Sequence, residues 1–161
     1  MTQTRPLILG LGNPILRDDR AGLEIVRALH ARLPAGAADV CEASVGGIEL
    51  LHLLEGHDRV LIIDALEPGH LPPGEVREIP LAQLAQQYTP ISPHNAGLLH
   101  CLELGRMCGM HMPSEVHVFA IGICDPYTFS ESCTDIVQAA LPGIVDHIYE
   151  RVFCPRGYWP I

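Results

Sequence analysis

The chain has 161 residues, of which 48% are apolar, and its formal net charge is −9. A chain of this length is typical of one domain with a substantial core, so we expect a single domain over residues 1–161. The negative charge argues against nucleic acid as a partner, because nucleic-acid binding rests on clustered basic residues. All ten basic residues are arginine, which excludes Schiff-base chemistry and a Walker-type phosphate lysine.

The sequence contains no apolar run long enough to cross a bilayer. Its first six residues also lack the basic stretch and long apolar segment with which a secretory signal begins. We therefore expect a cytoplasmic protein without membrane insertion. The six cysteines are widely spread and form no Cys-x-x-Cys pair, so we expect reduced thiols rather than a disulfide framework.

The first organised stretch, residues 7 to 22, predicts a buried strand, a glycine turn and an acidic helix start. Leu7 to Leu9 form the apolar run, and Asp18 and Asp19 precede residues that recur at helical spacing. An aspartate that caps the helix would explain one of the two carboxylates. The second carboxylate is one more than capping needs, so the pair is a candidate active site.

Further along the chain, short apolar runs alternate with helical patterns. The run from Arg59 to Asp64 is continuous and β-branched, which is typical of a central parallel strand buried on both faces. Residues 75–79 alternate in polarity and predict an edge or antiparallel strand. The predicted strands are 7–9, 39–43, 59–64, 75–79 and 115–123, and the predicted helices are 23–33, 48–54, 81–87, 94–108 and 134–148.

This alternation predicts an α/β fold: a three-layer sandwich in which a largely parallel, twisted sheet of about five strands is flanked by helices. Ligands of such sheets bind outside the carboxyl ends of the strands. Asp18 and Asp19 follow the first strand, and Asp64 ends the third. His94 is predicted to begin a helix that leads back toward the sheet. These groups are therefore expected at one edge of the sheet.

Two carboxylates and one imidazole suit a divalent metal such as nickel, zinc or manganese. Three ligands leave coordination positions open, whereas a structural zinc site normally closes four positions and favours thiolates. The alternative is structural: Asp64 accepts a backbone N–H, and His94 is a histidine satisfied at a helix start.

Three segments resemble the signature segments of the nickel-iron hydrogenase maturation endopeptidases. They are Gly-Leu-Gly-Asn-Pro-Ile-Leu-Arg-Asp-Asp-Arg-Ala-Gly at 10–22, Ile-Ile-Asp-Ala at 62–65 and Ser-Pro-His-Asn at 92–95. They occur in the order and spacing of that family. Together with Gly-Gly-Ile-Glu-Leu at 46–50, the resemblance spans most of the chain.

The resemblance implies an endopeptidase of the aspartyl type that removes a C-terminal extension from the precursor of the hydrogenase large subunit. By this resemblance Asp19, Asp64 and His94 correspond to the nickel-recognition ligands, with Asp19 in a position that holds either Glu or Asp in the family. The nickel is expected to arrive with the substrate's nickel-iron centre rather than to be permanently bound. Asp18 is left with a capping or supporting role.

Arg20 departs from the resemblance, because many relatives have a small residue, often glycine, just after the acidic pair. We expect this cation to alter access or substrate choice without removing a ligand. The sequence also contains no Gly-x-Ser-x-Gly elbow and no His-Glu-x-x-His. Our hypothesis is that substrate-held nickel is captured by Asp19, Asp64 and His94, and that the metal polarises the scissile carbonyl or activates water.

Two other functions compete with this interpretation. One is a nickel-binding maturation checkpoint or chaperone that senses the loaded subunit without cutting it. The other is a peptidyl-tRNA hydrolase-like esterase, because Gly-Leu-Gly-Asn-Pro also occurs near the start of that family. The Thr-Arg-His-Asn segment of those esterases is missing here, and the acidic charge is wrong for tRNA.

Overall fold

The computed structural model describes residues 4–86 and 97–161. Within these ranges the strands are β1 (Leu7–Leu11), β2 (Asp39–Ala43), β3 (Arg59–Ala65), β4 (Val76–Ile79) and β5 (Glu115–Ile121). The helices are α1 (Ala21–Arg32), α2 (Glu49–Leu54), α3 (Leu81–Gln86), α4 (Leu98–Met107) and α5 (Asp135–Phe153).

The described strands form one five-stranded sheet in the order β2-β1-β3-β5-β4. The first four of these strands run parallel, and β4 pairs antiparallel with β5 at the edge. Both the largely parallel sheet and the antiparallel edge strand predicted from the sequence are confirmed. Because β1 and β3 lie side by side and point the same way, the loops that follow them meet at one edge.

Alternate residues of the central strands pack in two apolar layers, one on each face of the sheet. Ile8, Leu61 and Ile63 lie in the layer that contains α1 and α5, whereas Leu9 and Ile62 lie in the layer that contains α2 and α4. Each strand is therefore buried on both faces, as the continuous apolar run of β3 predicts. The predicted three-layer sandwich is confirmed. No helix in the described part of the chain is long and apolar enough to cross a bilayer.

Most element boundaries differ from the prediction by one or more residues, and α5 runs to Phe153 rather than to residue 148. Strand β5 ends at Ile121 rather than at residue 123. Helix α4 begins at Leu98, because Gly97 precedes it in the left-handed region with φ +92°. This conformation suits glycine and interrupts a regular helix. The predicted start at His94 lies outside the described residues.

The C-terminal tail packs on the body of the protein through its aromatic residues. Trp159 is only 2% exposed and lies against Phe153, with ring centroids 6.2 Å apart. Its indole Nε1 donates a hydrogen bond to Glu115 at the start of β5. Tyr158 donates its hydroxyl to Glu78 on β4. The tail therefore closes over the edge of the sheet formed by β4 and β5.

His117 lies at the centre of this closure. Its Nδ1 lies 2.8 Å from Glu78, its Nε2 lies 2.9 Å from Glu115, and its ring stacks on Tyr158 at 3.9 Å. Each ring nitrogen therefore lies within hydrogen-bond distance of one carboxylate. Burial by itself raises the pKa of Glu78 and of Glu115, but hydrogen bonds from His117 and the tail bring each pKa below its usual value.

These lowered pKa values predict an acid-dependent loss of stability. A carboxyl whose pKa is lower in the folded state stabilises the fold above its unfolded pKa, and this stabilisation is lost as the pH falls through the folded pKa. The advantage of the wild type over Glu78→Gln/Glu115→Gln should therefore be full at pH 6 and should shrink below about pH 4.5. Urea unfolding from pH 6 to 3 measures this difference, and a constant difference would contradict the assignment.

Candidate active site at the carboxyl edge of the sheet

Asp64 lies at the carboxyl end of the central strand β3 and is 1% exposed. Its Oδ1 accepts a hydrogen bond from the backbone N–H of Ala65 at 2.8 Å. Side chains alternate along a strand, so Asp64 points to the same side as Ile62, which packs in the layer of α2 and α4. A buried carboxylate is thus held at a strand end, on the side of the sheet that α4 covers.

Asp19 lies in the loop between β1 and α1 and is half-buried. Its Oδ2 accepts a hydrogen bond from the backbone N–H of Asn13 at 2.9 Å, which joins the two ends of the loop. Gly12 makes this loop possible, because its φ is +151° and a Cβ there would overlap the backbone carbonyl oxygen of Asp19. The glycine turn predicted from the sequence therefore holds Asp19 against the end of β1.

The first turn of α1 brings the two aspartates to the same edge. A Cβ on Gly22 would lie 2.5 Å from the carbonyl oxygen of Leu11 and 2.6 Å from that of Ile63. This close approach is open only to glycine. Helix α1 therefore begins directly against the ends of β1 and β3, two residues after Asp19, and its Gly22 lies beside Ile63, the strand position that precedes Asp64.

Asp18 has a different role from its neighbour. It is fully buried, and its Oδ2 accepts hydrogen bonds from the backbone N–H groups of Cys124 and Asp125, both at 3.0 Å. Its Oδ1 accepts from the backbone N–H of Thr134 at 2.7 Å, and the Thr134 hydroxyl also donates to it. We call this set of bonds the Asp18 clamp. It joins the loop after β1 to the loop after β5 and to the start of α5.

The N-cap position of α1, which an aspartate would hold if it capped the helix, is not Asp18 or Asp19. The N-cap of α1 is Arg20, and its side chain makes no capping hydrogen bond. Thr134 was predicted to open α5 and does occupy its N-cap, but its side chain binds Asp18 instead of the helix. The supporting role suggested for Asp18 is the one observed, although its partners lie more than 100 residues away in sequence.

Cys133, which precedes Thr134 of the Asp18 clamp, is buried. The thiol is 5% exposed, and burial, reinforced by the negative charges of Asp18 and Glu24, raises its pKa to about 12. A thiol of this pKa stays protonated at neutral pH and does not act as a nucleophile.

Arg20 lies beside the site without facing open solvent. Its guanidinium forms an ion pair with Glu24, with Nη2 2.9 Å from the carboxylate, and its Nη1 donates to the carbonyl oxygen of Ser130 at 3.2 Å. Its charge is therefore compensated within the protein. The role expected for Arg20, in access or substrate choice, stays a prediction.

The structure covers only part of the predicted ligand set. Asp19 and Asp64 are described, whereas His94 lies outside the described residues. Over 4–86 and 97–161, no group of three or more His, Cys, Asp or Glu residues could hold a metal ion. The two carboxylates alone do not complete a metal site, so the assignment of Asp19, Asp64 and His94 as ligands stays a prediction.

This geometry defines the chain as an α/β protein with two carboxylates, Asp19 and Asp64, near the carboxyl ends of parallel strands, where ligands of such sheets bind. Comparison with known proteins makes the class specific. Residues 23–151 match the family model HycI, described as hydrogenase maturation protease. The chain belongs to the hydrogenase maturation protease family, whose members are hydrolases of the endopeptidase type. The family resemblance seen in the sequence motifs is confirmed, and the peptidyl-tRNA hydrolase alternative is set aside.

Among curated proteins, the hydrogenase 2 maturation protease of Escherichia coli K12 is 33% identical over 108 residues, which are 65% of each chain. The chain therefore matches slightly less than two thirds of that relative's length. The hydrogenase expression/formation protein HoxM of Cupriavidus necator is 28% identical over 145 residues, 86% of this chain and 69% of HoxM.

Solved structures show the same fold. The hydrogenase maturating endopeptidase HybD of E. coli superposes with a TM-score of 0.75 and 26% identity over 90% of both chains. The [NiFe] hydrogenase maturation protease HybD of Thermococcus kodakarensis gives a TM-score of 0.70 and 26% identity, over 91% of this chain and 98% of the other.

The Asp18 clamp predicts that Asp18→Ala and Asp18→Asn differ strongly in their effect on the free energy of unfolding. Asp18→Ala leaves three part-buried backbone N–H groups without their acceptor, and a buried donor that loses its partner costs about 1–3 kcal/mol. Asp18→Asn keeps one acceptor oxygen but turns an amide toward the other donors, so its loss should be smaller. We expect Asp18→Ala to lower the free energy of unfolding by about 3 kcal/mol or more in urea titrations. Asp146→Asn, on the exposed side of α5, is the control.

Proposed function

We propose that this protein is an endopeptidase that removes the C-terminal extension of a nickel-loaded hydrogenase large-subunit precursor. The observation that carries the proposal is the pair Asp19 and Asp64, held by backbone contacts at the carboxyl edge of the sheet in a member of the maturation protease family. The nickel belongs to the substrate, and this protein recognises it.

The chemistry of the donors supports a nickel-recognition site. Two carboxylates and an imidazole offer oxygen and nitrogen donors to a divalent transition metal, and three ligands leave positions for donors that the substrate provides. Since Asp19 and Asp64 alone make no closed site, the arrangement suits a metal that arrives already bound by the substrate's cysteines.

The position of α4 supports His94 as the third ligand. The Sγ of Cys101 lies 2.9 Å from the carbonyl oxygen of Gly47, in the loop that follows β2. The start of α4 therefore lies at the same edge of the sheet as the ends of the strands. His94 precedes Gly97 by three residues. Three residues of fully extended chain span at most about 11 Å.

In this proposal the protein positions the scissile bond. Asp64 is fixed by burial and by the Ala65 N–H, and Asp19 by the Asn13 N–H, so neither carboxylate needs to reorganise when the substrate binds. Orientation of this kind contributes strongly to catalysis, and a misplacement of about 1 Å costs about 100-fold. The substrate's metal supplies Lewis acidity at the bond to be cut.

The substitutions Asp19→Asn, Asp64→Asn and His94→Ala test the ligand set. Each should slow processing of nickel-loaded precursor by about 100-fold or more, with the circular dichroism spectrum unchanged. Asp64→Asn keeps an oxygen that can accept the Ala65 N–H, which makes it the sharpest of the three. Asp146→Asn, a carboxylate remote from the site, should cleave at the wild-type rate. Cleavage retained by the site variants would reject the assignment.

The metal dependence has its own test. Purified precursor with and without nickel is incubated with the protein, and the products are read by intact-mass spectrometry. We expect a shorter large subunit and a released peptide only from the loaded precursor. Equal processing of metal-free precursor would contradict nickel recognition. Binding of loaded precursor without any mass change would instead identify a maturation checkpoint or chaperone.

A further inference from the structure

A two-stranded ribbon stands beside the proposed active site. The loop after β1 and the loop after β5 pair through an antiparallel bridge between Leu16 and Phe129. The N–H of Ser130 donates to the carbonyl oxygen of Ile15 at 3.0 Å, and the N–H of Arg17 donates to that of Thr128 at 2.8 Å. The Asp18 clamp fastens the base of this ribbon. The ribbon is therefore fixed by backbone bonds rather than by burial of its outer side chains.

The outer side chains of the ribbon are apolar and face solvent. Ile15 is 56% exposed and Phe129 is 77% exposed. They border an open groove of about 690 Å³, whose lining residues are Pro14, Ile15, Arg20, Phe129, Ser130 and Glu131. Apolar patches bordered by polar residues commonly mark binding surfaces. Neither side chain belongs to the apolar layers of the fold, so the core does not account for them.

The groove adjoins the proposed site through Arg20, the residue that follows Asp19. The Arg20 guanidinium is mostly buried and is already bound by Glu24 and by the Ser130 carbonyl oxygen. It therefore forms a fixed wall rather than a free anion-binding cation. Glu131 adds a negative charge to the same lining. These charges disfavour an anionic occupant and leave the apolar faces of Ile15 and Phe129 as the binding surface.

We propose that this groove, the Ile15–Phe129 groove, is a substrate subsite that receives a large aliphatic or aromatic side chain of the precursor polypeptide. The inference rests on the proposed function, because the occupant is part of the same substrate. Its location next to Asp19 means that the side chain belongs to a segment of the precursor near the bound metal. Arg20 shapes the wall of the subsite, which gives this residue a specificity role.

The substitutions Phe129→Ala and Ile15→Ala test the subsite without disturbing the fold, since both side chains are exposed and the ribbon is held by backbone atoms. Each should raise the KM for loaded precursor about tenfold, which corresponds to about 1.4 kcal/mol, with kcat retained at saturation. Phe129→Leu should restore much of the affinity. Met107→Ala, at the far end of α4 and 85% exposed, is the matched control and should leave KM unchanged.

The result separates this inference from the proposed function. Unchanged KM in Phe129→Ala and Ile15→Ala, with normal cleavage by the wild type, would overturn the subsite alone. If the wild type does not cleave, the proposed peptidase fails, and precursor binding measured by biolayer interferometry decides the subsite. Weaker binding by both groove variants than by Met107→Ala supports it, whereas equal affinity overturns it.

Discussion

The buried carboxylate of Asp18 is the interaction on which the geometry of the site depends. It accepts hydrogen bonds from Cys124, Asp125 and Thr134, so one anion ties together the loop after β1, the loop after β5 and the start of α5. An anion without such donors would be strongly disfavoured in this environment. The clamp thereby fixes the backbone that carries Asp19 on one side and the ribbon of Ile15 and Phe129 on the other.

The adjacent residues Asp18 and Asp19 therefore have different structural roles. Asp18 points inward and stabilises the junction of three segments, whereas Asp19 is half-buried and shares the strand-end edge with Asp64. Two glycines enforce this division. Gly12 lets the chain turn back onto Asp19, and Gly22 lets α1 begin against the carbonyl groups of β1 and β3. A rigid backbone of this kind suits a protein proposed to hold a substrate's metal without reorganising.

The side of the sheet formed by β4 and β5 is organised by a different network of polar and aromatic side chains. His117 lies between Glu78 and Glu115, and Tyr158 and Trp159 donate to the same two carboxylates. These bonds fasten the tail over β4 and β5. The fold of this chain thus has two polar anchors, the buried carboxylate of Asp18 near the proposed site and the cluster of His117, Glu78 and Glu115 under the tail.

By itself the sequence determined the fold class, the edge strand, the family and Asp64 at a strand end, because these follow from local periodicity and from motifs contiguous in the chain. Only the tertiary structure decided the role of Asp18, whose partners lie over 100 residues away, and the start of α4 at Leu98, where Gly97 adopts a left-handed conformation. The groove of Ile15 and Phe129 likewise could not be predicted from the sequence. Periodicity reports which residues an element buries, whereas the pairing of two loops depends on how the whole sheet brings its strand ends together.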